Sequence, residues 1–350
     1  MSVDRNYIFD FLIRGFRKLY ALLTIALLTS GAFGQDKPKR IGEVEFFGYA
    51  GIALDEVRAA LPFREGDEFS FETVEEKKMQ AQDAVKRVIG HPPAGLELVC
   101  CDDQGNWIIF IGLSGKPMRH NPRPKGKTRL PVSAIRMYER FMNTLYEAIQ
   151  KWTTAEDHSK GYAVSEYPAL RSVQLEMRAY AVRREVLLRN VLATSSDDQH
   201  RVVAAHLLGY ARQSKSQITA LARASHDSDS TVRNNATRAL VVLAESNPRV
   251  AAQIPSESYV DLLLSGDWTD LNKVSWLLSA ITRSRNTEAL TQLRGRETLE
   301  RLIEMARWRT GHAYDARTIL GRIAGIDERR LQQLVLAGQV EVIINSLQDK

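Results

Sequence analysis

The residues of this chain that could perform chemistry are few, and their spacing argues against the common catalytic and metal sites. The sequence contains no His-Glu-x-x-His, no Cys-x-x-Cys and no Gly-x-Ser-x-Gly. Zinc sites with recognisable spacing are therefore not expected. No two of the histidines lie four residues apart, and they are His91, His120, His158, His200, His206, His226 and His312. We expect no catalytic residue, no metal ligand set and no cofactor, and therefore a protein that is not an enzyme.

Two short segments contain residue types that also occur in hydrolase triads and in phosphate-binding loops. Asp157-His158-Ser159 has the three residue types of a hydrolase triad. Adjacent residues cannot point at one another as a triad requires, so a polar loop is expected. Gly126-Lys127-Thr128 looks like the end of a phosphate-binding loop, but that pattern needs a glycine at position 121, where the chain has Asn121. A hydrolase or lyase therefore has no motif to support it.

The positive charge of the chain is concentrated in two segments. The formal net charge is +6, and residues 114–131 alone carry six basic residues and no acid. Residues 1–34 carry a surplus of two, which leaves the remainder of the chain slightly acidic. A nucleic-acid-binding domain would cluster basic residues on one face of a folded element. The composition therefore predicts no nucleic-acid partner.

Residues 1–34 have the pattern of an export signal. Arg14, Arg17 and Lys18 precede an uncharged run over residues 19–33, and small residues, Ala32 and Gly34, end the segment. A basic region, a short apolar core and a small-x-small end define a secretory signal, and the run is short for a spanning helix. We expect cleavage after Gly34 and a periplasmic or secreted protein. The alternative is an uncleaved anchor in the inner membrane.

The cysteines are two adjacent residues, Cys100 and Cys101. On a strand, neighbouring side chains point to opposite faces. Buried or free thiols and an intermolecular disulfide are both compatible with this arrangement, and the sequence does not decide between them.

Residues 36–115 alternate between strand and helix patterns. β-Forming residues cluster over residues 41–48, helical spacing follows over 53–61, and Thr73 with Glu76 forms a capping-box pattern that opens a second helix. Residues 96–101 and 107–113 then form the two strands of a hairpin. The order is β-α-α-β-β.

This order resembles a polypeptide-transport-associated (POTRA) domain. The resemblance rests on Phe47-Gly48 at the end of the first strand, on Leu61 with the Gly66-Asp67-Glu68-Phe69 join, and on the closing hairpin around Asn106. It implies that the sheet edge could bind an extended chain by strand addition. In that family a membrane β-barrel or a division-protein β-domain usually follows, whereas helices follow here.

Residues 116–132 form a basic, proline-rich segment between the two halves. Prolines exclude a helix, and like charges favour an extended chain, so a solvated linker is expected. The two halves are then expected to fold separately. Clustered basic residues also allow peripheral contact of residues 116–129 with anionic lipid.

Residues 133–350 are expected to be helical and repetitive. Arg201-x-x-Ala204 recurs 32 residues later as Arg233-x-x-Ala236, and weaker copies follow at Leu277 and Ala316. A period of this length indicates a solenoid of helical hairpins. The fold class predicted is therefore mostly α, with a small β-α-α-β-β domain followed by an α-solenoid.

The repeat pattern resembles HEAT-like repeats. The resemblance implies that the turn aspartates and helix arginines are structural, and the repeat positions concerned are Asp197, Arg201, Ala204, Asp229, Arg233, Ala236 and Leu240. Three tryptophans near the repeat boundaries, Trp268, Trp276 and Trp308, are expected to pack between hairpins or, alternatively, to form an aromatic docking surface. Solenoids expose extended surfaces for binding, so the function expected is a protein-interaction scaffold. The alternative is a component of envelope biogenesis or secretion that receives an extended chain at the sheet edge.

Overall fold

The computed structural model describes residues 40–70, 72–114, 118–151 and 153–347, and within them the chain is mostly helical with a small sheet on the N-terminal side. The predicted export signal, residues 1–34, lies outside the described residues. None of the helices described is both long and apolar enough to cross a membrane. The first unit follows the expected order, with β1 Ile41–Phe47, α1 Leu54–Ala60, α2 Val74–Ile89, β2 Gly95–Cys100 and β3 Trp107–Gly112.

The sheet has β3 in its centre, parallel to β1 and antiparallel to β2. One face packs on α1 and α2, where Val57 and Val85 are buried against Ile109. The other face packs on the helical half of the chain, through Phe47, Val99, Ile108 and Phe110. Because both faces are covered, all six residues of β3 are buried. The uninterrupted apolar sequence of this strand follows from that double burial.

The predicted capping box at the start of α2 is not formed. Thr73 occupies the cap position, but its side chain makes no capping hydrogen bond and its hydroxyl instead donates to the Ser70 carbonyl oxygen. The capping-box sequence was therefore a correct marker of the helix start and a wrong prediction of its hydrogen bonds.

The helical half begins at residue 132 and continues to the end of the described chain. Its α-helices are α3 Val132–Gln150, α4 Pro168–Thr194, α5 Asp198–Leu208, α6 Lys215–Ala224, α7 Ser230–Ser246, α8 Pro248–Ala251, α9 Glu257–Val260, α10 Trp268–Ile281, α11 Thr287–Gln292, α12 Arg296–Ala306, α13 Tyr314–Ile323, α14 Glu328–Leu336 and α15 Val340–Asn345. Short 3₁₀ turns occur at Asp261–Leu264, Thr282–Ser284 and Gly311–Ala313. A short antiparallel pair of two-residue strands, β4 Glu156–Asp157 and β5 Val164–Ser165, lies between α3 and α4, within the part of the chain that was expected to be helical.

Four of these helices pack on one another in sequence order. α5 contacts α7, α7 contacts α10, and α10 contacts α13. We call these four helices the core row. A further helix or turn lies against each member: α4 on α5, α6 on α7, Asp261–Leu264 on α10, and α12 and α14 on α13. α10 has neighbours on both sides and the sheet beside it, and every one of its residues is buried.

Aspartates begin several of these helices by accepting backbone hydrogen bonds. Asp197 accepts from the His200 amide at the start of α5, and Asp229 accepts from the amides of Thr231 and Val232 at the start of α7. Asp267 and Asp327 cap α10 and α14 in the same way. Each cap satisfies amides that the helix leaves unpaired, which explains why the helices begin where they do.

The segment between the two halves is packed, and the expectation of a solvated linker is wrong. Residues 118–131, which we call the basic strap, cross the loops that precede α5 and α7. The Asn121 amide donates to the His226 carbonyl oxygen at 2.7 Å, and the Gly126 amide donates to that of Thr194 at 2.7 Å. Leu130 is buried, and its amide donates to Nδ1 of His200. Backbone hydrogen bonds to these loops outweigh the repulsion among the strap's own charges.

The two halves also share a core, so they are not two separate modules joined by a linker, and their separate folding stays a prediction. Phe110 of β3 stacks on Trp268 at a ring separation of 4.9 Å and meets the edge of Trp308 at 4.9 Å. A Cβ placed on Gly112 would lie 2.5 Å from the Gly266 carbonyl oxygen, so the sheet and the turn before α10 approach backbone to backbone. The apolar face of the sheet removes this surface from water only by docking on the helices.

Candidate functional site

Buried arginine–aspartate pairs tie neighbouring members of the core row together. Arg201 on α5 donates from Nε and Nη2 to the two carboxylate oxygens of Asp227, each at 2.9 Å. Arg233 on α7 donates in the same two-pronged way to Asp270 on α10, at 2.8 and 3.0 Å. Such bidentate pairs fix both distance and orientation.

Each arginine also reaches back to the turn before its own helix. Nη1 of Arg201 donates to the Ser195 carbonyl oxygen, and Nη1 of Arg233 donates to that of Asp227, both at 3.0 Å. Asp227 thus accepts from Arg201 through its side chain and from Arg233 through its backbone. Each arginine therefore joins the turn before its own helix, that helix and the next segment along the core row. The two arginines are 32 residues apart, which is the spacing of the sequence repeat.

The structure places the predicted repeat positions inside the row. Arg201, Ala204, Ala236 and Leu240 are fully buried, and Arg233 is 3% exposed. Asp197 and Asp229 do not pair with these arginines, because their side chains cap the helices. The sequence missed the actual partners, Asp227 and Asp270, since a capping aspartate and a pairing aspartate look alike in a sequence.

The three tryptophans do not form a docking surface. Trp268 and Trp308 are 0% and 2% exposed, and both pack on the sheet. Trp276 is 8% exposed and donates from Nε1 to the Glu245 carboxylate at 2.8 Å. The alternative of an aromatic docking surface is therefore wrong, because the sheet and the helices already cover these rings.

Polar groups fix the sheet onto the helices around its aromatic contacts. The Glu304 carboxylate accepts hydrogen bonds from the successive amides of Gly48, Tyr49 and Ala50, at 2.6, 3.2 and 3.2 Å. Trp308 donates from Nε1 to the Phe46 carbonyl oxygen at 3.0 Å. One feature of the sequence indicated this junction, namely the continuous apolar run of β3. In a sheet with one exposed face, apolar and polar residues would alternate along the strand.

The two edges of the sheet differ. The outer edge of β1 is covered, since the Val44 amide donates to Glu65, the Ile41 amide donates to the Asp67 carbonyl oxygen, and Arg58 donates to the Val44 carbonyl oxygen. β2 is the opposite edge strand and pairs only with β3 among the described strands. A covered edge cannot accept another strand, so β2 is where an added strand could pair.

At the end of β2, the structure joins Cys100 and Cys101 to each other by a disulfide. The alternatives left open by the sequence, free thiols and an intermolecular disulfide, are both replaced by this pairing.

His158 lies at the centre of a buried network of charges. Its Nδ1 is 2.7 Å from the Glu245 carboxylate, and its Nε2 is 3.6 Å from that of Glu156. Glu156 also pairs with Arg238 on α7. The two carboxylates are balanced by the imidazolium and the guanidinium, and the network fastens the β4–β5 hairpin to α7. The charge of His158 therefore has a structural role. The neighbouring Asp157 and Ser159 do not form a triad with it, because the Asp157 carboxylate accepts a hydrogen bond from the Ser159 backbone amide.

The network shifts the pKa of its members. Burial lowers the pKa of His158, but the Glu156 carboxylate nearby and the hydrogen bond to Glu245 outweigh it and raise that pKa to about 9. Burial raises the pKa of Glu156, but the Arg238 charge and His158 outweigh it and lower that pKa to about 2. The network is charged over the interval between these values.

The stability of the chain should therefore depend on pH through His158. A histidine with a raised folded pKa stabilises the fold fully below its unfolded value of about 6.5, and this contribution is lost as pH rises to about 9. The difference in free energy of unfolding between wild type and His158→Gln should shrink over that interval, measured by urea denaturation at stepped pH. The control is His91→Gln in a surface loop. A difference that stays constant from pH 6.5 to 9 would show that His158 is neutral in the fold.

A small cleft lies beside this network, lined by Arg238, Asn235, His206 and Tyr210. Burial and the Arg238 charge lower the pKa of His206 to about 3, so its imidazole is neutral. Arg238 is already paired with Glu156. The cleft thus has polar walls but no uncompensated charge that would favour an ionic substrate.

No group of three or more potential metal ligands occurs within the part of the chain that the structure describes. Comparison with protein-family models gives no match, and comparison with curated proteins gives none either.

Proposed function

We propose that this protein is a non-enzymatic interaction scaffold that holds protein partners on the surface of its helical half. The observation that carries the proposal is the pair of buried ties, Arg201 to Asp227 and Arg233 to Asp270, which joins successive helices of the core row. Ties that recur with the repeat period support a HEAT-like array in which each hairpin stacks on the next. Such an array holds its outer helices rigidly and so offers a fixed surface to a partner.

The proposal includes a location outside the cytoplasm. It rests on the basic region, apolar run and small-residue end within residues 1–34. An uncleaved anchor in the inner membrane is the alternative, and N-terminal sequencing of the exported protein distinguishes the two.

A second candidate function uses the POTRA-like sheet. With β1 covered and β2 at the open side of the order β1-β3-β2, an extended segment of a partner could add to β2 as a fourth strand. Main-chain hydrogen bonds would provide affinity in that mode. The sheet is clamped to the helices by Trp308 and Glu304, so a strand bound there would be held in a fixed position relative to the core row.

Site-specific photo-crosslinking in cell envelopes tests the two candidates against each other. A photoreactive residue replaces Leu175 or Val186, which are exposed apolar side chains on α4, or Glu97 on β2. Met79, an exposed side chain on α2, provides the control position. Mass spectrometry then identifies the crosslinked protein.

The scaffold proposal expects one recurring partner from Leu175 or Val186 and none from Met79. A recurring partner from Glu97 alone supports strand addition at β2 and contradicts binding by α4. The absence of any recurring partner from all four positions, in protein that keeps its helical circular dichroism spectrum, contradicts both candidates.

A further inference from the structure

We propose that the basic strap is a membrane-contact surface that binds anionic phospholipid headgroups. The proposal is independent of the protein partner discussed above, because the strap crosses the loop ends of the core row and does not lie on its outer helices. Three observations carry it: the strap is fixed, four of its five basic residues form no ion pair within the described part of the chain, and its exposed charges are regularly spaced beside an exposed apolar residue.

The strap is fixed to the array by backbone and side-chain hydrogen bonds along its length. The Asn121 backbone amide donates to the His226 carbonyl oxygen, and its side-chain amide donates to the Arg223 carbonyl oxygen at 3.1 Å. Arg123 donates from Nε to the Ser196 carbonyl oxygen at 2.7 Å. A surface held in this way does not lose chain entropy on binding, which an unattached basic linker would lose.

The positive charges of the strap are exposed to solvent. Its basic residues are Arg119, Arg123, Lys125, Lys127 and Arg129, and all five are exposed. Arg129 pairs with Asp197, and no other ion pair of the strap occurs among the described residues.

Two aspartates of the turns before α7 and α10 are bound to other groups. Asp227 is bound by Arg201, and Asp267 is bound by Arg233 while it caps α10. These two acids are matched by buried arginines of the core row, whereas Asp197 pairs with Arg129 of the strap, and the other basic residues of the strap face solvent.

The spacing of the strap's charges suits a bilayer surface. A fully extended segment of 14 residues spans roughly 45–50 Å at most, and every second residue from Arg123 to Arg129 is basic and exposed. Headgroups of a fluid bilayer can arrange themselves around such spaced charges. Val132, which is 65% exposed, follows the strap directly and adds an apolar side chain at the same surface. Basic residues beside exposed apolar ones are typical of interfacial contact.

Vesicle co-sedimentation of the full chain tests the proposal. The vesicles contain phosphatidylglycerol and phosphatidylcholine in equal parts, or phosphatidylcholine alone. The strap variant combines Arg119→Gln, Lys125→Gln and Lys127→Gln, three exposed residues without an ion pair among the described residues. The matched control combines Lys86→Gln, Arg87→Gln and Arg330→Gln, which remove the same charge from exposed sites on α2 and α14.

Three basic residues near an anionic surface are expected to change the apparent affinity roughly a hundredfold. The strap variant should lose about that factor on anionic vesicles, and the control should remain near wild type. Binding should also weaken as salt is raised. The apolar run at residues 19–33 is common to all three proteins, so its contribution cancels.

Three results overturn the proposal. The first is an affinity of the strap variant for anionic vesicles within about threefold of wild type, which is well below the expected effect. The second is an equal loss in the control variant, which would show that only total charge matters. The third is a loss seen equally on phosphatidylcholine alone, because neutral headgroups do not attract the strap.

Discussion

Replacing Ala236 by aspartate is expected to unfold the helical half of the chain. Ala236 is fully buried on α7, in the middle of the core row. The two segments approach closely nearby, since a Cβ on Gly209, which follows α5, would lie 2.9 Å from the Ala239 Cβ of α7. The arginines of α7 are already paired, Arg233 with Asp270 and Arg238 with Glu156. An unpaired buried charge costs several kcal/mol, which is comparable to the whole stability of many domains.

Thermal and urea denaturation followed by circular dichroism measure this effect. The control is Ala59→Asp, which places the same charge at an exposed position on α1. We expect the control to melt close to wild type and Ala236→Asp to be unfolded or strongly destabilised. A melting temperature of Ala236→Asp within about 2 °C of wild type would place residue 236 at the surface and contradict the packing of α7, because a change of about 1 kcal/mol moves the melting temperature by at least that amount.

Replacing Arg233 by alanine should cause a loss of about 3–5 kcal/mol in the free energy of unfolding. The guanidinium is buried and binds Asp270, Asp267 and the Asp227 carbonyl oxygen. Removing it leaves the Asp270 carboxylate, itself 4% exposed, without its cation. Breaking one side of a buried ion pair is strongly destabilising for that reason.

A double-mutant cycle separates the tie from simple loss of packing. If the Arg233–Asp270 pair joins α7 to α10, then Arg233→Met combined with Asp270→Leu should recover much of the stability lost in either single variant, because a buried pair replaced by apolar residues is often tolerated. Arg296→Ala is the surface control, since Arg296 pairs with Glu300 in solvent and should show no measurable change. Equal effects of Arg233→Ala and Arg296→Ala would show that the tie does not hold the row together.

The sequence by itself determined the features that depend on neighbouring residues. The order β-α-α-β-β and the helical character of residues 133–350 follow from local spacing, and Asp197 and Asp229 lie in turns, as the repeat resemblance implies, where they cap α5 and α7. A helix begins where a side chain satisfies its free amides, and both the helix and its cap lie within a few residues of one another. The recurrence of Arg201 at Arg233 was visible for the same reason, because a repeat is a comparison of the chain with itself.

Only the tertiary structure decided what depends on contacts between distant segments. Arg233 meets Asp270 across 37 residues, His158 meets Glu245 across 87, and Trp308 meets Phe46 across 262. No local pattern distinguishes an aspartate that caps from one that pairs, or a tryptophan that docks a partner from one that buries a sheet. The basic strap is the clearest case. Its prolines and like charges favour an extended chain, which is what it is, but whether an extended chain lies in solvent or on a protein depends on the carbonyl groups that the folded helices present to it.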